Sequence, residues 1–387
     1  MLSFDNTEIA FSGKSDRDLS RSFWLFKLIG NPGFVNIGQS LTTLAIGAHL
    51  PIKGLIKATL FKQFVGGENI LECNHTIENL ARYNIGTILD YSVEGKETEK
   101  DFDHCLQETV ATIDKAKDNK NIPFCVFKIT GLARFDLLQK VSSGLALTNT
   151  EEKEFARVHD RVFTICKQAH ENAVSIFIDA EESWVQQAMD NLANEMMSLF
   201  NKQKVIVYNT FQLYRKDRLA YLKNSFAMAE KGGYQMGAKL VRGAYMEKER
   251  KRAREMNYPS PIQDSKQDTD ADYAAALGFS IQHLERIAIC AGTHNENSCI
   301  HLTDLMKKNG ISPGDKHVCF SQLLGMSDHI SFNLAKSGYN VVKYVPYGPV
   351  KEVLPYLIRR ARENTSVKGQ TGRELSLIMK EKRRRKG

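Results

Sequence analysis

The sequence predicts an α/β fold, a TIM-type (β/α)8 barrel with a helical N-terminal extension, and three observations carry that prediction. Eight short runs rich in β-branched and aromatic residues recur along the chain, each ending in polar or charged residues. Enough residues separate each run from the next to hold a helix. A doubly wound open sheet, the alternative, normally brings a glycine-rich nucleotide loop, and none is found. "KGGYQMGAK" is not GxGxxG, and "SGKS" at 12–15 has Glu8 where a P-loop needs its first glycine. Eight βα units in succession make a barrel whose chemistry sits at the C-terminal ends of the strands.

Residues 1–82 alternate helical patterns with turn signals (Gly30–Pro32–Gly33, Gly66–Gly67) and hold no convincing strand, which makes them the extension. The barrel is expected over 83–367. Its first four strands fall within "YNIGTILDYSVE" at 83–94, "IPFCVFKITGLA" at 122–133, "VSIFIDAEE" at 174–182 and "VIVYNTFQLY" at 205–214. The other four fall within "YQMGAKLVRGAY" at 234–245, "IAICAGTHN" at 287–295, "KHVCFSQLLG" at 316–325 and "YNVVKYVPYG" at 339–348. The stretch 347–367 then reads as a helix. At roughly 100° per residue, Val350, Val353, Leu354, Leu357, Ile358 and Ala361 form one apolar stripe. Residues 368–387 form a basic tail ending in "KEKRRRKG".

The apolar fraction of 42% and charged fraction of 25% are those of a soluble globular chain with a filled core. The formal charge of +8 is partly local to the tail, which reads as a solvated end or as a contact with an anionic membrane surface. No aromatic-interleaved basic stripe points to nucleic acid. Seven scattered cysteines without a CxxC pair argue for a reducing compartment, against disulfide staples and against a zinc knuckle. Asp5 and Glu8 precede any basic residue, so the start is expected to be neither a signal nor a transit peptide. The run 31–52 lacks Asp, Glu, Lys and Arg but is too polar for a membrane span. A cytoplasmic protein, peripheral at most at the inner membrane, is the expectation.

The expected strand ends supply Lys128, Asp179 with Glu181 and Glu182, Gln212, Lys239, Arg242 and Tyr245. They continue with Thr293–His294–Asn295, Gln322, Lys343, Tyr344 and Tyr347. On a barrel these converge on one mouth, rich in cations and donors and poor in metal ligands, so no metal is expected. Such a mouth suits an anionic ligand with phosphates and an acidic heterocycle. The last helix has a second face, Tyr356, Arg359, Arg360 and Glu363. Adjacent guanidinium forks match a carboxylate bidentately, and Glu363 would hold them against their mutual repulsion. The plain alternative is a solvent-facing charge cluster. Pro355 requires a late helix start or a kink.

These residues carry a resemblance. "FVGGE" at 64–68, "FKITGLA" at 127–133, "FIDAEE" at 177–182, "KLVRGAYMEKERKRA" at 239–253, "GTHN" at 292–295, "FSQLLGM" at 320–326 and "YVPYGPVKEVLPYLIRRAREN" at 344–364 resemble the FAD-dependent proline dehydrogenases. The likeness runs from about residue 60 to 367, and the motif around the paired arginines is its most specific part. It implies a distorted (β/α)8 barrel holding FAD at its mouth, as in the monofunctional enzymes. It implies oxidation of L-proline to Δ1-pyrroline-5-carboxylate by hydride transfer from C5 to flavin N5, with a membrane quinone as electron acceptor. By position, Arg359 and Arg360 match the carboxylate grip, Tyr344 and Tyr356 the walls of the pyrrolidine ring, and Lys128 and Asp179 the lining of the same pocket. Glu363 would order the arginines. Gln212, Lys239, Arg242, Lys266, Thr269, Thr293, His294, Asn295 and Gln322 match FAD contacts, and Gly243, Ala244 and Tyr245 the backbone beside the isoalloxazine. Lys239 stands where bifunctional bacterial relatives carry Arg, and Arg242 where they carry Lys, which leaves open which of the two approaches N5.

Two other readings remain, besides a non-catalytic barrel, for which the intact set of pocket residues gives no support. A 4-hydroxyproline dehydrogenase of the same family is expected to carry a smaller residue than Tyr344. A Schiff-base aldolase barrel would use Lys128, Lys239 or Lys343 but leave the paired arginines idle.

Overall fold

Short runs of β-branched and aromatic residues, the pattern of parallel strands buried on both faces, yield all eight expected strands. They are β1 (Ile85–Tyr91), β2 (Phe124–Lys128), β3 (Ser175–Asp179), β4 (Val207–Gln212), β5 (Met236–Val241), β6 (Ile287–Gly292), β7 (Val318–Leu323) and β8 (Val341–Tyr347). They form a closed parallel barrel in sequence order. The computed structural model describes residues 2–30, 53–93, 97–366 and 370–387, without the side chains of 53, 55, 362–366, 370 and 371. The run 31–52, expected not to span a membrane, lies outside the described residues. No described helix is long and apolar enough to cross a membrane.

The helices in chain order are α1 (Thr7–Ala10), α2 (Asp16–Ile29), α3 (Asn74–Ala81), α4 (Glu99–Ala116), α5 (Phe135–Ser142), α6 (Asn149–Glu171) and α7 (Ser183–Phe200). They continue with α8 (Arg218–Gly232), α9 (Met246–Glu255), α10 (Lys266–Gln282), α11 (Glu296–Lys308), α12 (Asp328–Lys336), α13 (Leu354–Ser366) and α14 (Gln370–Arg384). Short helical turns also occupy Lys53–Phe64. Three helix starts are fixed by reciprocal capping boxes, Ser15 with Asp18, Thr148 with Glu151 and Ser265 with Asp268. Each satisfies two backbone donors that a helix start otherwise leaves open.

Two compact units divide the chain, residues 95–321 and residues 1–94 with 322–387. In the first, strand alternation sorts inward from outward positions. Phe124, Phe177 and Tyr208 form an interior aromatic layer, with ring centroids 4.7, 5.2 and 5.7 Å apart. Cys125 and Asn209 point the other way, onto Thr112 of α4 and Asp190 of α7. Inward positions are therefore Phe124, Val126 and Lys128 on β2, Phe177 and Asp179 on β3, and Tyr208, Thr210 and Gln212 on β4.

In the second unit, α2, the 53–64 turns, α13 and α14 share an apolar core that includes Phe11, Leu19, Phe26, Phe64, Val353, Leu357, Leu377 and Ile378. Two expectations change here. The helix expected over 347–367 begins only at Leu354, because Pro355 fits a first helical turn and not an interior one. Val350 and Val353 precede it yet stay buried. The basic tail, expected as a solvated end or a membrane arm, is mostly the helix α14, since Leu377 and Ile378 give it a face to bury. Part of its charge is engaged within the chain. Arg385 reaches Asp16 at 2.9 Å and the Phe11 carbonyl at 2.9 Å, and Arg384 pairs with Glu381 at 2.9 Å. All seven cysteines are free thiols and buried.

Candidate active site

The C-terminal ends of β2 to β6 present one set of polar groups. Lys128 closes β2 in register with Asp179 at the end of β3. Asp179 Oδ1 accepts from Lys239 Nζ at 2.5 Å, and that ammonium lies 5.3 Å from the Phe177 ring centroid. Lys239 therefore faces the barrel interior. Arg242, three residues on, is turned the other way. Its guanidinium donates to Asp270 Oδ1 at 2.8 Å, Thr293 Oγ1 at 3.0 Å and Ser298 Oγ at 2.9 Å, and it stacks 4.5 Å from the Tyr273 ring. So of the two cations, it is Lys239 that points inward.

Gln212, buried, donates from Nε2 to the Glu181 carbonyl at 2.7 Å. Gly243 and Ala244 form an exposed stretch of backbone after β5. Gly243 has φ +134, and a Cβ there would lie 2.4 Å from the Tyr214 ring, so no side chain fits. Tyr245 immediately precedes α9. Thr293 is buried and accepts both Arg242 and the Asn295 N–H, while Asn295 Oδ1 caps α11 by accepting Ser298 N–H at 2.9 Å. His294 between them is half-buried. Lys266 is largely exposed and pairs with Asp270 at 2.5 Å. Thr269 is buried and donates back to the Ser265 carbonyl at 3.3 Å within α10.

The second unit carries the rest. Tyr344 on β8 is buried; Lys343 beside it points to the opposite face, as alternation requires. Lys343 is fully buried, pairs with Asp328 at 2.9 Å and donates to the Met326 carbonyl at 2.5 Å. It stands under α12 rather than among the strand-end groups, which removes it from the Schiff-base reading. Burial lowers its proton affinity, and Asp328 opposes that shift. Gln322, also buried, accepts from Ser331 Oγ at 2.8 Å. On α13, Arg360 and Tyr356 are buried, one turn apart, with the guanidinium 5.2 Å from the ring centroid. Arg359 is half-buried. The face is thus not a solvated charge cluster. The side chain of Glu363 lies outside the described residues.

Three partners went unread in the sequence: Asp270 for Arg242, Asp328 for Lys343, and Thr130 for Glu181. Only Asp270 had a signal, the acid-rich run at 268–272 behind a capping serine.

Comparison with known proteins agrees with this architecture. The family model described as proline dehydrogenase matches residues 73–373. A Dictyostelium discoideum protein named proline dehydrogenase 1, mitochondrial, is 33% identical over 99% of this chain and 75% of its own length. A Xenopus laevis protein named hydroxyproline dehydrogenase is 30% identical over 99% of this chain and 90% of its own. In fold, the chain is similar to a crystal structure of proline utilization A from Bdellovibrio bacteriovorus, with a TM-score of 0.75 and 20% identity. That match covers 96% of this chain and 40% of the longer protein. The chain is an enzyme that belongs to the proline dehydrogenase family.

Proposed function

We propose that this enzyme oxidises L-proline to Δ1-pyrroline-5-carboxylate with a bound FAD. The observation that carries the reading is the buried Arg360, stacked on Tyr356 beside Arg359, on the helix that follows β8. Adjacent guanidinium forks match a carboxylate bidentately, and a substrate carboxylate is the matching anion.

The donor set fits a flavin dinucleotide. Phosphates call for cations and hydrogen-bond donors, which Arg242, Lys266, Thr269, Thr293, His294 and Asn295 offer. A flat ring calls for bare backbone, and Gly243–Ala244 before Tyr245 provides it. Gln212, Lys239 and Gln322 are the remaining groups that would hold the cofactor, and Lys239 is the one of the Lys239–Arg242 pair that faces the barrel interior. When bound, FAD supplies the acceptor for the hydride that leaves proline C5.

The chain's own residues bind and orient. Arg359 and Arg360 hold the carboxylate by paired N–H donors, and Glu363 is assigned to ordering them. Tyr344 and Tyr356 wall the pyrrolidine ring, while Lys128 and Asp179 line the pocket. Fixing the carboxylate and the ring together sets where C5 points, which converts binding into alignment. The reading continues with a membrane quinone as the next electron carrier and a cytoplasmic enzyme in peripheral contact with the inner membrane.

Arg359→Met and Arg360→Met, made separately, test it. Each is expected to lower kcat/KM for L-proline by roughly tenfold to a hundredfold, since a hydrogen bond to a charged group is worth about 1.5–3 kcal/mol. Flavin content per chain should stay near that of the parent enzyme. Unchanged kinetics in both variants would move the carboxylate grip elsewhere.

Hydroxyproline is the second reading, favoured by the Xenopus relative's name. Tyr344 speaks for proline, because its ring would occupy the space that a C4 hydroxyl needs.

A further inference from the structure

Helix α9 begins directly after the bare backbone of Gly243 and Ala244 and the single residue Tyr245, and it has little apolar surface to hold it down. All of its residues but Met246 and Ala253 are charged, and those it buries are Glu249 and Ala253. Most helices are fixed to their domain by burying an apolar face, so α9 needs a polar anchor. Glu249 is that anchor. It is fully buried, and its carboxylate reaches the first turn of α7. Oε1 accepts the Ser183 N–H at 2.6 Å, and Oε2 accepts the Ser183 hydroxyl at 2.6 Å.

The contact suits both partners. The first N–H groups of a helix have no acceptor within it, and that end carries partial positive charge. A carboxylate that meets such donors makes short, charge-assisted bonds. Neighbouring groups add to the hold. Lys248 pairs with Glu182, the N-cap of α7, and the Arg252 guanidinium lies 4.5 Å from the Trp184 ring centroid. Lys248 is largely exposed, so water weakens its pair. Glu249 is the part of the anchor that water does not reach.

The backbone of residues 243–245 runs between two fixed ends. On one side the Leu213 and Tyr214 N–H groups donate to the Val241 and Arg242 carbonyls, each at 2.8 Å, and Gly243 lies against the Tyr214 ring. On the other side the Glu249 N–H donates to the Tyr245 carbonyl at 2.9 Å, closing the first turn of α9. Gly243 between them, at φ +134, has no side chain to fix its path. Where this stretch lies is therefore set by β4 at one end and by the seat of α9 at the other.

We propose that Glu249 is a positioning residue, which through α9 holds the Gly243–Tyr245 backbone where the flavin ring is to rest. This rests on the functional reading above. Glu249 acts through the main chain, by tying the start of α9 to the start of α7.

Three variants of the full chain, loaded with FAD, test it. Glu249→Leu keeps the bulk and removes both acceptors. Ser183→Pro removes both donors yet leaves α7 its start, because proline suits the first helical position. Glu182 before it already has the extended backbone, φ −68 and ψ 148, that a following proline requires. Glu249→Gln keeps both bonds, its amide N–H donating to the Ser183 hydroxyl. In the Leu and Pro variants, amide hydrogen exchange over residues 243–249 should quicken and the visible circular dichroism of the bound flavin should change. Their kcat for L-proline should fall by up to about a hundredfold, the cost of a misplacement of about 1 Å. KM for L-proline should stay near the parent's, since the carboxylate grip belongs to α13. Glu249→Gln should match the parent in all of these. If Glu249→Leu fails to fold, Ser183→Pro decides. Parent-like dichroism and kcat in the Leu and Pro variants, whether or not exchange quickens, overturn the positioning role alone. A parent that takes up no flavin overturns the functional reading and this inference together.

Discussion

Tyr344 shows what strand parity does for a single residue. It faces inward from β8 while Lys343, its neighbour, is locked to Asp328 on the outside. Trimming Tyr344 to Ser is expected to relax discrimination against trans-4-hydroxy-L-proline by roughly 1–3 kcal/mol, the usual range for a change of pocket shape. The ratio of kcat/KM for the two substrates, in parent and variant, checks it; an unchanged ratio means the ring does not meet C4. At this scale the paired arginines were legible, because their helical spacing put them on one face with Tyr356. The choice between Lys239 and Arg242 was not. They stand three apart and so on opposite sides of an extended chain, but only packed neighbours such as Phe177 and Asp270 tell which side is inside.

The elements came through more evenly. All eight strand positions were readable from β-branched and aromatic runs, since inward aromatic layers and outward helix-facing residues both demand such side chains. The helix ends were less so. The pattern over 347–353 continues an apolar stripe, yet Pro355 moves the helix start to Leu354. The tail's helix and its partners Asp5, Glu8 and Asp16 were not readable from its charge, because those partners lie at the far end of the sequence. A buried ionic knot joins the elements of this unit, with Asp328 on α12 accepting Lys14 at 3.0 Å and Lys343 at 2.9 Å. Burial alone would raise the Asp328 carboxyl, but the two lysines outweigh it and hold it below the ordinary carboxylate range. A depressed carboxyl stabilises the fold at every pH above its unfolded value and loses that contribution only on acidification below it. Asp328→Asn should therefore cost about 3–5 kcal/mol at neutral pH, because the buried Lys343 ammonium loses its anion and the half-buried Lys14 loses its partner. Denaturant unfolding of the two proteins measures it. A loss below about 1 kcal/mol would show that the knot holds little.

For the whole molecule, the family match over residues 73–373 spans all eight strands of the closed barrel and α13. The order of units was legible because each βα repeat is a local pattern. The pairing of charges was not, because ion pairs such as Lys239 with Asp179 join residues 60 positions apart. The central claim is that this barrel holds a flavin and passes it the electrons of L-proline. It is tested most directly by adding L-proline to the purified protein without oxygen and following the flavin absorbance. The account predicts a yellow protein whose visible band bleaches with L-proline and returns with an added electron acceptor. A colourless protein that takes up no flavin, or a yellow one whose band L-proline leaves unchanged, would contradict it.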